Sequence, residues 1–375
     1  MRHRDRASEE WLSPDGMSSI DYMSMVCLDG LEKRYGSPLP SKVRTRFDME
    51  KGAIERVCAP DYFLMARDIV DYARKNGIAV GPGRGAAASS IIAYGLGITG
   101  IDPLKYGLLF ERFLNEAKGD VPDIDINVED GQRDRIIDFI AHSKERQQAK
   151  IDVFELGVLS RIAAAVKSVK AVQGIDLDIG RIPLDDKRVF DMLSRGNSDG
   201  VFQCESEEFR RLLSEFKPVS FEDLVALIAV YRPGVSQFAD RFVSNKNGQV
   251  PISYPHERME PILRETYGLI LYQEQVQVLA KELAGFPLQE GDMMRRAIGL
   301  RDARIMAKYR RKFLDQARDG IGSDVAEEVY TQIEDFAGYS INKAHTACYA
   351  LISYQTAYLK SHYPSLYLTV DVNVS

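Results

Sequence analysis

Pro122-Asp123-Ile124-Asp125-Ile126-Asn127-Val128 alternates polar with apolar side chains at a period of two. On a strand, that alternation sends Asp123 and Asp125 to one face and Ile124 and Ile126 into a core. Two carboxylates held side by side repel, and they raise one another's pKa unless a cation lies between them. A divalent hard cation with oxygen ligands is the natural occupant. The neighbourhood concentrates the field: Glu116 to Asp130 holds six acids and one lysine, a net charge of −5. The bland alternative is an exposed edge strand whose polar face is solvated.

A second strand is predicted from Ala149 to Phe154, where Lys150 and Asp152 share one face and Ile151 and Val153 the other. If the two strands are neighbours, three carboxylates and one lysine converge. Three carboxylates can hold two Mg2+ ions for in-line phosphoryl transfer, one ion activating the attacking oxygen and the other stabilising the leaving group. Lys150 would neutralise a substrate phosphate. Between the strands, Asp130 to about Gln147 reads as a helix, long enough for a βαβ crossover. A one-residue register slip would turn Asp152 away from the site.

Working upstream, a helix is predicted over Asp61–Asn76. Phe63, Leu64, Ile69, Val70 and Ala73 form its stripe, and Gly77 stops it. Ile78–Val80 reads as a short strand, Gly81-Pro82-Gly83-Arg84-Gly85 as a turn, and Ala86–Tyr94 as an alanine-rich helix. Glycines let backbone N–H groups approach an anion, and a helix N-terminus favours negative charge. Arg84 adds a bidentate phosphate donor. The spacing Gly83-x-Gly85-x-x-Ala88 also resembles a dinucleotide fingerprint, without an acid at a following strand end. A tight turn with close helix packing is the structural alternative. A further helix is predicted over Pro103–Leu114. Residues 1–60 are polar and weakly patterned, with one amphipathic stretch around Met23–Tyr35.

Downstream of Glu155 the pattern is mostly helical. Phe209, Leu212, Leu213 and Phe216 have the i, i+3, i+4, i+7 spacing of a buried face. Arg295 to Arg318 holds nine basic residues and two acids, a net charge of +7. Such a run is either a solvated face or the positive band of a polyanion-handling protein. Tyr339, Asn342, Lys343 and His345 offer a ring, an amide, a cation and an imidazole, or simply a capped polar turn. His142, His256 and His362 show no metal-binding pattern.

The whole chain has 375 residues, room for two or three domains. With 45% hydrophobic and 28% charged residues it is not a wholly disordered protein. Its net charge of −6 argues against a uniformly basic nucleic-acid coat but conceals the two opposite local concentrations. The most apolar run, Ala86–Ile98, is too short to span a membrane. No apolar stretch follows the basic start, so no signal peptide is expected. Cys27, Cys58, Cys204 and Cys348 lie far apart without a CxxC, which points to reduced thiols in the cytoplasm rather than a disulfide framework or zinc ribbon.

Gly81-Pro-Gly-Arg-Gly85, Leu109-Phe-Glu-Arg-Phe-Leu-Asn115 and Pro122-Asp-Ile-Asp125 resemble the palm of the bacterial DNA polymerase III alpha subunit, a C-family polymerase. Phe202-Gln-Cys-Glu-Ser206, Tyr231-Arg-Pro-Gly234, Thr266-Tyr-Gly268, Tyr272-Gln-Glu-Gln275, Arg295-Arg-Ala297, Asn342-Lys343, His345 and Ser353-Tyr-Gln-Thr356 resemble its fingers. The similarity runs from about Ala59 to the end. Lys150-Ile-Asp-Val-Phe-Glu-Leu-Gly157 is closer to the error-prone branch.

The resemblance implies an N-terminal segment of no assigned fold at 1–58. An α/β palm of the polymerase-beta nucleotidyltransferase type would follow at 59–154, without a thumb, and an α-rich fingers domain at 155–375. Asp123, Asp125 and Asp152 fall on the family's metal-binding aspartates, and Lys150 on the lysine before the third. Gly83, Arg84, Gly85 and Ser90 fall in the glycine loop that holds the triphosphate. Arg295, Arg296, Tyr339 and His345 fall on finger positions near the incoming nucleotide. Arg301, Arg304, Lys308, Arg310, Arg311, Lys312 and Lys343 are the candidates for nucleic-acid contact.

The implied activity is DNA-directed DNA polymerisation in replication or repair: dNMP transfer to a primer 3′-hydroxyl with two Mg2+ ions. Primed template, dNTPs and replisome or repair-polymerase subunits are the implied partners, with no membrane. Departures from the family pattern are clear. Only Ile126 to Ile151 separates Asp125 from Asp152, where the family places a long segment including the thumb. The family's N-terminal phosphoesterase and its C-terminal clamp-binding and single-strand-binding regions have no counterpart. Ala86 replaces a serine of the glycine loop, Ile298-Gly-Leu-Arg301 a stretch that the family ends in lysines, and Val235-Ser236 a Pro-Leu. The expectation is therefore reduced, distributive synthesis or none, and the rival is an inert nucleic-acid- or replisome-binding module.

Overall fold

The computed structural model describes residues 16–57, 59–116, 122–142, 151–232 and 235–370. These form two compact units, one running to Gly180 and one from Arg181 to Leu368. The sequence expectation divides the chain earlier, at residue 154.

The first unit opens with α1 (Ser19–Tyr35) and α2 (Ser41–Arg56), so the weakly patterned N-terminal segment supplies two helices. The Ser18 hydroxyl caps α1 by accepting the Asp21 N–H. Met23, Cys27 and Leu31 of α1 and Val43, Phe47 and Ile54 of α2 enter one core with Phe63, Leu64, Ile69 and Val70. The last four lie on α3 (Pro60–Lys75), which matches the predicted helix within a residue. Helix α1 crosses α4 (Ile91–Gly95) at two glycines. A Cβ on Gly95 would stand 2.6 Å from the Cys27 Sγ, and one on Gly30 would overlap the Gly95 carbonyl. Only glycine permits that approach.

Strand β1 (Ile124–Val128) pairs in parallel with β2 (Ile151–Glu155). Helix α5 (Arg133–Ala141) lies between them in the chain, giving the order βαβ; the helix expected over Asp130 to about Gln147 is seen in this part, and its end lies outside the described residues. It packs on α3, where Tyr72 and Phe139 stack with ring centroids 4.0 Å apart. Helix α6 (Gly157–Gln173) follows β2 and ends at Gly174 in the left-handed region. The fold is thus rich in helix, with a small parallel sheet.

Three local expectations are corrected. Ile78–Val80 is not a strand but a single antiparallel bridge, Val80 to Val128. Pro103–Leu114 is not a helix. The Asp102 carboxylate accepts the N–H groups of Leu104 and Lys105, and Gly107 turns left-handed (φ 60°), so only a 3-10 turn at Phe110–Arg112 remains. Ala86–Tyr94 splits into a 3-10 turn, Ala87–Ser89, and α4, with Ser90 extended between them.

Among the described residues, the regular elements of the second unit are all helical, with one isolated bridge. Helices α7 (Lys187–Leu193), α8 (Glu207–Phe216), α9 (Phe221–Val230) and α10 (Ala239–Lys246) lead it. The α8 stripe Phe209, Leu212, Leu213 and Phe216 is buried as predicted. After α11 (Glu260–Leu263) come α12 (Gln273–Ala284), α13 (Leu288–Gly299), α14 (Ala303–Ile321) and α15 (Ser323–Ala337). These share a core of Val276, Leu279, Met294, Phe313 and Tyr330. Helix α16 (Lys343–His362) is buried along most of its length and packs on α9; α17 (Pro364–Leu368) follows it.

Candidate active site

The register of the sheet sets Asp125 directly beside Asp152 and Ile126 beside Val153. Partners in a parallel ladder share a face. Both carboxylates therefore stand on one side, while Ile126 and Val153 are buried on the other, at 3% and 4% exposure. Asp152 is exposed and Asp125 is half-buried. Asp123 lies just before β1 and is exposed, on the Asp125 face by alternation.

The glycine turn comes to this face. The Gly81 N–H donates to the Asn127 carbonyl at 2.9 Å and ties the turn alongside β1. Gly83 (φ 121°) and Gly85 (φ 63°) both occupy the left-handed region. A Cβ on Gly85 would stand 3.4 Å from an Asp125 carboxylate oxygen, so the turn backbone lies against that carboxylate. The Arg84 Nε lies 3.9 Å from the same oxygen, and its guanidinium sits 4.1 Å over the Phe154 ring. Phe154 is two residues from Asp152 on β2, so one side chain links turn, β1 and β2. Sequence reasoning missed Phe154; its signal was the same alternation that selected Asp152.

Asn127 continues the Asp125 face of β1 but is only 1% exposed. Neither of its side-chain polar atoms has a hydrogen-bond partner among the described residues. Lys150 lies outside the described residues. Among the described residues no three His, Cys, Asp or Glu side chains come close enough to hold a metal ion. Of the three expected aspartates, Asp125 and Asp152 are the two that the strand register sets side by side. Asp125 and Asp152 supply hard oxygen donors, and Mg2+ is commonly held by one or two carboxylates with substrate phosphate and water completing its shell. The donor chemistry fits one such ion.

Ser90 is not brought to this cluster, which corrects the phosphate role expected for it. It is fully buried, accepts the Ala93 N–H and donates to Glu50 Oε2 at 2.7 Å. The Glu50 carboxylate also accepts the N–H groups of Ile91 and Ile92, at 3.0 and 3.2 Å. The helix N-terminus expected to receive phosphate is thus filled by a side chain from α2. Burial pushes the Glu50 pKa up, and Arg46, at 2.6 Å, pulls it back. Arg46 also donates to the carbonyls of Ser89 and Leu108, which fastens the turn to α2.

In the second unit the expected nucleotide residues separate. Arg295 is 11% exposed and turned onto the buried Asp292 carboxylate at 3.1 Å, whereas Arg296 is exposed. Tyr339 is 40% exposed. His345 lies against Tyr349, ring centroids 4.5 Å apart. His345 and Tyr349 line a cavity of about 280 Å³ with Gln203, Tyr231 and Arg232. Arg232 donates to the Tyr339 carbonyl at 2.9 Å, and burial lowers its pKa. Gln203, Tyr231 and Arg232 belong to sequence stretches already singled out, but nothing in the sequence indicated that they adjoin His345.

The basic run is divided in the same way. Arg310 pairs with Glu327 and with Glu334, and Lys312 with Glu290 at 2.5 Å. Lys343 is 7% exposed, held by Glu265 at 2.6 Å. These three expected nucleic-acid contacts are thus each paired with a carboxylate, Lys343 while buried and Arg310 and Lys312 while partly exposed. Arg301, Arg304, Lys308 and Arg311 remain exposed, the last three at i, i+4 and i+7 along α14.

Two protein-family models match the chain. One describes the bacterial DNA polymerase III alpha NTPase domain and covers residues 21–182; the other describes the bacterial DNA polymerase III alpha subunit finger domain and covers 158–320. The chain belongs to the bacterial DNA polymerase III alpha-subunit family. The DNA polymerase III subunit alpha of Bacillus subtilis is 30% identical over 95% of this chain and 43% of its own length. The proteins of the same name from Thermus aquaticus and Escherichia coli K12 are 32% and 31% identical, over 87% and 94% of this chain and 38% and 43% of their own. The chain thus spans about two fifths of the length of these curated relatives. The B. subtilis alignment runs over 481 positions, more than the 375 residues available, so the relative carries over a hundred positions inside the match that have no counterpart here.

Proposed function

We propose that the first unit carries a nucleotidyl-transfer site for DNA-directed DNA synthesis, within an abbreviated palm of the polymerase-beta type at 59–154, and that 155–375 act as fingers. The carrying observation is the register of Asp125 with Asp152, with Gly85 and Arg84 against Asp125. In the proposed reaction the primer 3′-hydroxyl gives up its proton to water, its oxygen bonds to the α-phosphorus of a dNTP, the bond from that phosphorus to the oxygen bridging to the β-phosphate breaks, and pyrophosphate leaves.

Asp125 and Asp152 would hold Mg2+, which, when bound, supplies charge neutralisation at the phosphates. Arg84 offers a fixed guanidinium to the triphosphate, held in place by its packing on Phe154. With the α4 N-terminus filled by Glu50, phosphate binding falls to Arg84 and the N–H groups of the turn. Gly83 is buried and serves the bend; Arg84 and Gly85 are the reachable positions. Within the second unit, Arg296, Tyr339, His345 and Arg232 are the proposed nucleotide-contacting residues. Arg301, Arg304, Lys308 and Arg311 would take duplex phosphates.

The positions unmatched inside the alignment support an internal shortfall, which we place between β1 and β2, where the thumb would lie. Such a chain would synthesise slowly and release its template after few additions. Replisome or repair-polymerase subunits are the proposed partners. No helix among the described residues is long and apolar enough to cross a membrane.

A second reading is an inert nucleic-acid-binding module, and the lack of a three-carboxylate cluster among the described residues favours it. Primer extension with Mg2+ decides between the two. Extension by the wild type that Asp125→Ala abolishes supports the transfer site. Salt-sensitive DNA binding without extension at high protein, unchanged by Asp125→Ala, supports the module and overturns the transfer site.

A further inference from the structure

The second unit contains a cavity of about 740 Å³ that the transfer reaction does not use. It lies between α7, the turn after it and the end of α16. Its size is that of a small-molecule site. On its wall stands Lys360, 7% exposed. The Lys360 ammonium donates to the Asn197 carbonyl and side-chain oxygens at 3.2 and 2.6 Å, which uses two of its three donors. Neither partner is a carboxylate. Burying a charge with no carboxylate in direct contact is costly, and burial pushes the Lys360 pKa below its ordinary value against the longer-range pull of Asp199 and Glu205.

Two carboxylates line the same cavity, but both are engaged. Asp191 pairs with Lys187 at 2.8 Å, and Asp199 with Arg210. Two further lining cations, Arg188 and Arg195, are exposed and pair with no carboxylate among the described residues. The charge facing the cavity is therefore net positive, with Asp199 and Glu205 acting on Lys360 only through space. Met192, Pro364 and Leu368 make an apolar side. An inorganic anion would satisfy the cations and leave that side in water. A ligand with a phosphate at one end and a flat apolar body at the other satisfies both.

We propose that this cavity is a second nucleotide site, taking phosphate at Arg188, Arg195 and Lys360 and the base or sugar against Met192, Pro364 and Leu368. The nucleotide comes either free or as one unit of a single strand. The site needs no metal and does not depend on the transfer reaction.

The test uses the whole chain in EDTA, with fluorescent dAMP and a labelled short oligothymidylate as separate probes. Arg188→Ala/Arg195→Ala is the test variant, since both side chains are exposed and their removal leaves the core intact. Asp125→Ala is the control for the first unit. Saturable dAMP binding that the double variant weakens about tenfold or more, and that Asp125→Ala leaves unchanged, supports a free-nucleotide site. The same dependence for the oligonucleotide alone supports a strand-derived nucleotide. Binding of both probes unaffected by the double variant, or no binding of either by the wild type, overturns the proposal.

Discussion

The acidic strand pair and the basic run of α14 are charge concentrations of opposite sign, and folding treats them in opposite ways. On β1 the alternation commits Asp125 to one face, and the register places Asp152 beside it, so the sequence concentration survives as a spatial one. On α14 each residue turns about 100° from the last, so consecutive cations scatter around the helix. Acids on neighbouring helices then take Arg310 and Lys312. A charge pattern at strand period marks a face as soon as the strand finds its partner. A charge run on a helix marks a face only after its neighbours have drawn off their share.

The comparison breaks most visibly at Asp152. Asp152→Lys sets a cation beside Asp125 on an exposed position that folding does not need. Mg2+-dependent primer extension is expected to fall about a thousandfold, with the thermal unfolding curve unmoved. Retained extension would show that the in-register pair is not a site. On the basic side, Lys343→Ala is expected to cost about 3 kcal/mol in urea unfolding, because it strands Glu265 in a half-buried position. Its DNA affinity at matched folded protein should be unchanged. Loss of affinity with full stability would return Lys343 to the nucleic-acid surface.

A smaller effect sharpens the division of α14. Arg304→Ala/Lys308→Ala/Arg311→Ala should flatten the slope of log K against log salt for duplex binding by about 2.7, near 0.9 for each phosphate no longer neutralised. Arg310→Ala/Lys312→Ala should leave the slope alone and lose about 1 kcal/mol or less of stability, as partly exposed pairs do. Equal slopes in the two variants would mean that pairing does not remove cations from the binding face.

Legibility in the sequence follows the range of the interaction. β1, α3 and α8 were readable because each stripe is local: alternation in one, helical spacing in the others. The βαβ connection was readable from chain length between the acidic segments. What escaped was non-local. Glu50 sits on a helix with few apolar residues, yet its carboxylate ends the Ala87–Ser89 turn by filling the α4 N-terminus, some forty residues along the chain. That one interaction divides the predicted helix and withdraws Ser90 from the phosphate. The helix predicted over Pro103–Leu114 failed for a local reason: Asp102 and Gly107 hold a turn. Tyr231 and His345 each stood in a marked stretch, and only the tertiary fold made them neighbours in one cavity.

The account rests on Asp125 and Asp152 holding a cation together. Mn2+ binding to the whole chain, followed by electron paramagnetic resonance in the presence of a dNTP, tests it without reference to turnover. Wild-type protein should hold protein-bound Mn2+ beyond what the nucleotide alone retains, and Asp125→Ala and Asp152→Ala should each remove it, with the double variant no worse than either. Undiminished Mn2+ binding by Asp152→Ala would contradict the account, because the register of β1 with β2 would then bring together nothing that the metal uses.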